Sequence, residues 1–221
     1  AHEFHPHIQD VFDYADAVVT GRKLACELER LACQRFYADL ERESDYVFSQ
    51  DQAVRFIEFT QLLKHVKGKW ASKRQPLVLE PWQKFIHANL YGWVHKETGL
   101  RRFRLAYIKA PRKSGKTFGI AVPIGLYMFT ADNEHGSEVY CGANSESQAW
   151  EVFRPAKQLC EATPNLRKTF MIQVNARSME ARLGARFQPV IGKPGDGASP
   201  SCAIHDEYHE AADSSQFDTM A

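Results

Sequence analysis

Apolar residues in the first third of the chain recur at helical spacing. Leu24, Leu28, Leu31, Ala32, Phe36 and Leu40 form one stripe, with Glu27, Glu29, Arg30 and Arg35 between them. A second helix is predicted after Ser49, with Gln52 three places on as its capping-box partner and Ala53, Phe56, Phe59, Leu63 and Val66 as its stripe. From about residue 100 the rhythm changes to short strands alternating with helices. Residues 104–110, 138–141, 169–174, 187–191 and 201–205 read as strand-like pieces. Ser145 with Gln148 caps a helix whose face is Ala149, Val152, Phe153, Ala156 and Cys160, ending near Thr163-Pro164-Asn165. This alternation predicts an α/β fold with a mostly parallel central sheet flanked by helices, preceded by a helical N-terminal arm. Pro123 and Pro155 are each expected to kink the helix that holds them.

Composition narrows this only modestly. In 221 residues, 28 basic side chains face 27 acidic ones, and 44% of positions are apolar, which suits a folded core and excludes a disordered chain. A net charge of +1 names no partner, so any nucleic acid must be met by a local patch. Residues 64–74 are the obvious basic run. They read either as a solvated loop or as a phosphate-backbone contact, with Trp70 as a stacking surface. No apolar run reaches membrane-spanning length and no secretion signal opens the chain, so a soluble, cytosolic protein is expected. Five cysteines, widely spaced and odd in number, read as buried free thiols.

The strongest chemical signal is Ala110-Pro-Arg-Lys-Ser-Gly-Lys-Thr117, a phosphate-binding loop pattern in which Ala110 stands where a first glycine is usual. Pro111, Arg112, Lys113, Ser114 and Gly115 supply the turn whose amides close round phosphates. Lys116 reaches the β- and γ-phosphates, and Thr117 offers its hydroxyl to Mg²⁺. The second signal is Cys202-Ala-Ile-His-Asp206-Glu207. An acidic pair at a strand end suits a Walker B role, with Asp206 on the Mg²⁺ shell and Glu207 polarising the attacking water. Together they read as an ATPase using ATP and Mg²⁺. His205 and His209 flank this pair at a spacing near that of a zinc motif, but Asp stands where that motif has its Glu and no third ligand is evident. Two further candidates are Gln83, whose amide can pair with both the N6 donor and the N7 acceptor of adenine, and Arg112, whose guanidinium can neutralise charge on the γ-phosphate.

Leu79-Glu-Pro-Trp-Gln83, Pro111-Arg-Lys-Ser-Gly-Lys-Thr117 and Gly195-Asp-Gly-Ala-Ser-Pro-Ser-Cys-Ala-Ile-His-Asp-Glu-Tyr-His-Glu210 together resemble the large terminase subunit of tailed bacteriophages. The resemblance implies a P-loop NTPase of the additional-strand, catalytic-glutamate type, with residues 1–75 as a helical arm and 76–221 as the ATPase core. It implies a motor that drives double-stranded DNA into the procapsid as a homo-oligomeric ring on the portal protein, with the small terminase subunit, in the host cytoplasm and without a membrane. It assigns Gln83 to adenine, Arg112 to the phosphates, Lys116 and Thr117 to phosphate and Mg²⁺, Asp206 to Mg²⁺ and Glu207 to water activation. It also implies a coupling motif and an endonuclease domain beyond residue 221. A helicase-like or restriction-type DNA translocase shares the same motifs, and a nucleotide kinase or a non-enzymatic nucleotide binder shares the loop.

Overall fold

The computed structural model describes residues 4–143, 146–191, 200–206, 208 and 214–220. The backbone divides into two compact units, residues 1–59 with 78–109, and residues 60–77 with 110–221.

The first unit is built from helices α1 (Pro6–Val19), α2 (Glu27–Glu41), most of α3 (Gln50–Leu62) and α5 (Pro81–Gly92), with a small antiparallel pair, β1 (Tyr46–Phe48) and β2 (Trp93–His95). Its core joins Ile8, Val11, Ala15 and Val18 of α1 to Cys33 and Phe36 of α2, Ala53 of α3, and Phe85 and Ala88 of α5, with Trp93 beside them. Phe36 is the hub, edge-on to Phe48, Phe85 and Trp93. Burying one such ring stabilises by about 1.5–3 kcal/mol. The buried Asp39 carboxylate meets Arg102 at 2.9 Å, which offsets its desolvation.

This unit departs from the sequence pattern in two ways. Helix α1 has no counterpart among the predicted elements. Helix α2 exists, but it buries Cys33 and Phe36, while Leu24, Leu28, Leu31 and Leu40 of the expected stripe are exposed, Leu24 at 97%. Of the expected stripe Phe36 is buried and Ala32 half-buried, and the face that packs inward runs through Cys33, Phe36 and Asp39. The α3 prediction holds as far as Leu62, where the helix ends, so Leu63 and Val66 of the expected stripe lie beyond it. Gln52 N–H donates to Ser49 Oγ at 3.3 Å, and Ala53, Phe56 and Phe59 are buried.

The second unit carries a five-stranded sheet in the order β4-β5-β6-β3-β7, from β3 (Glu138–Ala143), β4 (Gln173–Val174), β5 (Met179–Glu180), β6 (Arg186–Ile191) and β7 (Cys202–His205). β6, β3 and β7 are parallel, while β4 and β5 form an antiparallel hairpin on the β6 edge, so the sheet is mixed rather than mostly parallel. Side chains alternate across a strand. Phe187 therefore shares a face with Val139 and Cys141, its register partners' side, and there it meets Phe129 of α6 (Val122–Thr130) at 5.9 Å and Phe153 of α7 (Glu146–Ala162) at 5.6 Å. Gly142 lies on the opposite face, close to Gln216 of α9 (Ser215–Met220). Helices thus cover both sides of the sheet. Gly125 lets α6 approach closely, because a Cβ there would stand 2.8 Å from the Phe187 ring and 3.1 Å from Ile204.

The α7 face is buried as expected at Ala149, Val152, Phe153, Ala156 and Cys160, whereas its Ser145 cap lies outside the described residues. Residues 169–172 are not strand. They close helix α8 (Pro164–Phe170), which ends on left-handed Met171, and only Gln173–Val174 pairs. Residues 104–110 have no regular secondary structure and join no ladder among the described residues, with Leu105 and Tyr107 exposed at 68% and 77%. Their alternation records strand propensity. A strand also needs a neighbour, which local pattern does not encode. Pro123 is absorbed without a break, because Thr117–Ala121 winds as a π-turn in which Val122 N–H reaches the Thr117 carbonyl five residues back. Cys33, Cys141 and Cys160 are buried free thiols as expected, but Cys26 is exposed. No described helix is long and apolar enough to cross a membrane.

Candidate active site

Residues 111–117 turn sharply and feed directly into the π-turn and α6. Ser114 N–H donates to the Pro111 carbonyl at 3.3 Å. Lys113 and Gly115 both have left-handed backbones, with φ of 65° and 86°. Alternating hands of this kind turn successive amides toward a common centre, the geometry of an anion-binding nest. Lys113 bears a side chain in that region at some strain, while Gly115 adopts it without one. Arg112 and Lys113 are exposed, and the Ser114 hydroxyl is buried with no partner among the described residues.

The loop's last two residues converge on the end of β7. Lys116 Nζ lies 3.5 Å from Asp206 Oδ1, and Thr117 Oγ1 donates to Asp206 Oδ2 at 3.3 Å. Lys116 is 27% and Asp206 16% exposed, so both are partly buried yet within reach of solvent. Asp206 owes its place to the register of β7 on β3, which sets His205 beside Gly142. A Cβ at Gly142 would stand 2.8 Å from His205 Cε1, so only glycine lets the imidazole lie flat on β3. Gln216 hydrogen-bonds that imidazole, and Tyr208 and Phe217 enclose it. Burial lowers the His205 pKa, with the Gln216 bond acting against it.

Lys116, Thr117 and Asp206 are therefore brought together. Gln83 stands in the first unit, buried at the third position of α5, where its Oε1 accepts the Glu80 N–H at 2.9 Å in a capping box. Glu207 and His209 lie outside the described residues, as does the stretch 192–199. His205 ends a strand, and among the described residues no cluster of His, Cys, Asp or Glu is arranged to hold a metal ion by itself. Sequence reasoning missed Gly142 and Gln216, which hold His205. A glycine inside a buried strand was the available signal.

A turn of alternating hand that leads into a helix on a parallel strand trio, with an aspartate at the neighbouring strand end, defines a P-loop NTPase-like α/β fold. A sequence model of the terminase large subunit ATPase domain matches residues 81–221, and the chain belongs to that family. The crystal structure of the HK97 bacteriophage large terminase is similar in fold, with a TM-score of 0.60 at 24% identity over 72% of this chain. The present chain spans 32% of that protein's length. No curated protein sequence matches it.

Proposed function

We propose that this chain is the ATPase part of a packaging motor, hydrolysing ATP to drive double-stranded DNA into a procapsid. Membership of the terminase family supports the reading, and the observation that carries it is the convergence of Lys116 and Thr117 on Asp206. The donor set suits a triphosphate with its Mg²⁺, since a lysine, a hydroxyl and a carboxylate meet at the end of a loop whose amides favour anions, and the Ser114 hydroxyl in that loop lacks a partner among the described residues. When bound, Mg²⁺ would neutralise charge on the phosphate oxygens. Lys116 would hold the γ-phosphate, Thr117 and Asp206 would hold the metal, and Arg112 would screen charge developing at the loop mouth. The backbone of Pro111, Lys113, Ser114 and Gly115 cradles the phosphates. Glu207 takes a proton from the attacking water, the role that defines the catalytic-glutamate, additional-strand type. Gln83 reads adenine.

In this reading the motor works in the host cytoplasm as a ring docked transiently on the portal protein, with the small terminase subunit as a further partner. The full-length protein also carries an endonuclease. The test is ATP hydrolysis by this chain with and without double-stranded DNA. Hydrolysis that rises with duplex DNA is the expected result. Stimulation by single strands alone would favour a helicase-like translocase, and no hydrolysis at all would overturn the ATPase reading.

A further inference from the structure

We infer that residues 64–74 are the surface through which this chain grips the phosphate backbone of double-stranded DNA; the inference rests on the packaging reading above. Lys64, Lys67, Lys69, Lys73 and Arg74 put five positive charges into eleven residues, and no acid occurs between Glu58 and Glu80. Without those five the chain would hold 23 basic against 27 acidic side chains, so the run is a locally positive stretch on a nearly neutral protein. None of the five pairs with a carboxylate among the described residues. Unneutralised cations at such density repel one another, which disfavours the loop unless an anion arrives.

The segment is also ordered, unlike a solvated tether. Leu63 and Leu77 are buried and joined by a 2.9 Å hydrogen bond from Leu77 N–H to the Leu63 carbonyl, and His65 N–H reaches the Gln75 carbonyl at 2.9 Å. Inside this clasp a single helical turn, α4 (Gly68–Ser72), is closed by Arg74 N–H to the Ala71 carbonyl at 3.0 Å and Gln75 N–H to the Trp70 carbonyl at 3.2 Å. A fixed loop loses less entropy on meeting a rod of phosphates than a floppy one. Four of the five cations are lysines, point charges suited to contacts that ignore sequence, as a motor that moves any DNA requires. Lys69 Nζ lies 4.7 Å from the ring centre of Trp70, so one positive charge stands over the indole and the loop offers chiefly charge to a phosphate backbone. Lys67 Nζ lies 5.6 Å from the ring centre of Phe118, the residue after Thr117. The loop therefore meets the element that begins at the nucleotide site.

The test uses the 221-residue chain carrying Lys67→Glu, Lys69→Glu and Lys73→Glu, with binding of a labelled duplex followed by anisotropy over a salt series. The expected result is at least a tenfold loss of affinity at low salt. The slope of log affinity against log salt should fall by about 0.9 for each DNA phosphate that the variant no longer neutralises. Basal hydrolysis should persist while its stimulation by DNA disappears. The charge-keeping Lys67→Arg, Lys69→Arg, Lys73→Arg variant should bind like the parent. Reversal of Arg30, Lys96 and Lys168, an equal change of net charge elsewhere, should leave the slope intact. An unchanged slope and affinity in the loop variant, with a parent that binds duplex, would overturn the proposal and point to an acidic protein as the loop's partner. A parent that hydrolyses ATP but ignores duplex DNA would instead overturn the packaging reading itself.

Discussion

Asp206 receives an ammonium and a hydroxyl at once, so the two interactions have separable consequences. Lys116→Ala removes a point charge that no neighbouring loop residue replaces, and phosphate release should fall to background. Normal turnover in that variant would sink the ATPase reading. Glu207→Gln keeps the shape of the side chain but loses the base, so ATP should stay bound while hydrolysis stops. If its ATP affinity fell as far as that of Lys116→Ala, Glu207 would be structural. Gln83 has two jobs under the proposed reading. Its Oε1 accepts the Glu80 N–H and retains a second lone pair for a base. Gln83→Ala should therefore cost about 0.5–2 kcal/mol of stability by loss of the cap. It should also weaken ATP-over-GTP preference by about 1–3 kcal/mol; a stability loss with unchanged nucleotide preference would leave only the cap. The phosphate-loop residues were legible because their chemistry is encoded in contiguous spacing. The seat of His205 was not, because it joins three distant segments at a point only the folded register creates.

At the level of elements, Gly142 and Gly125 are the points where the sheet meets its neighbours without clearance. Gly142→Ala drives a methyl into the His205 ring and Gln216. Overpacking of that kind costs about 1–3 kcal/mol. Denaturant unfolding should show the loss, and hydrolysis should need more Mg²⁺ because His205 and Asp206 are consecutive. Retained stability with an unmoved Mg²⁺ requirement would mean that β7 shifts freely and does not position Asp206. Helix α7 was readable because it buries the stripe its period marks out, and β3 because Val139, Tyr140 and Cys141 are all buried, while β6 buries Phe187 and β7 is only half-buried. The α2 segment was only partly so, since Phe36 of the expected stripe is buried while Leu24, Leu28 and Leu31 are exposed and Cys33 takes an inward place. Residues 104–110 show the complementary error, in which strand-like alternation meets no partner strand. Period reports which side chains share a face. It does not report what lies opposite.

Across the whole molecule, both units bury thiols whose ionisation is suppressed. Burial pushes Cys33 and Cys160 up from the ordinary 9.0 to about 12, and raises Cys141 well above it. The folded state therefore holds these protons more tightly than the unfolded chain. Their stabilisation is complete below about pH 9 and is lost as pH rises toward 12. The urea midpoint should fall over that range, and Cys160→Ala should flatten the fall; a midpoint level from pH 9 to 11 would contradict the burial of these thiols. At neutral pH, iodoacetamide should label exposed Cys26 first. The two units also share the chain in an interleaved way, with crossings after residues 59, 77 and 109. Neither is a contiguous cassette. Recombination, or an engineer's scissors, that lifted residues 110–221 into another scaffold would carry the phosphate loop but strand the basic loop in the parent. The nucleotide site and the surface proposed to hold DNA can thus be inherited together only if everything from residue 60 onward travels as one piece.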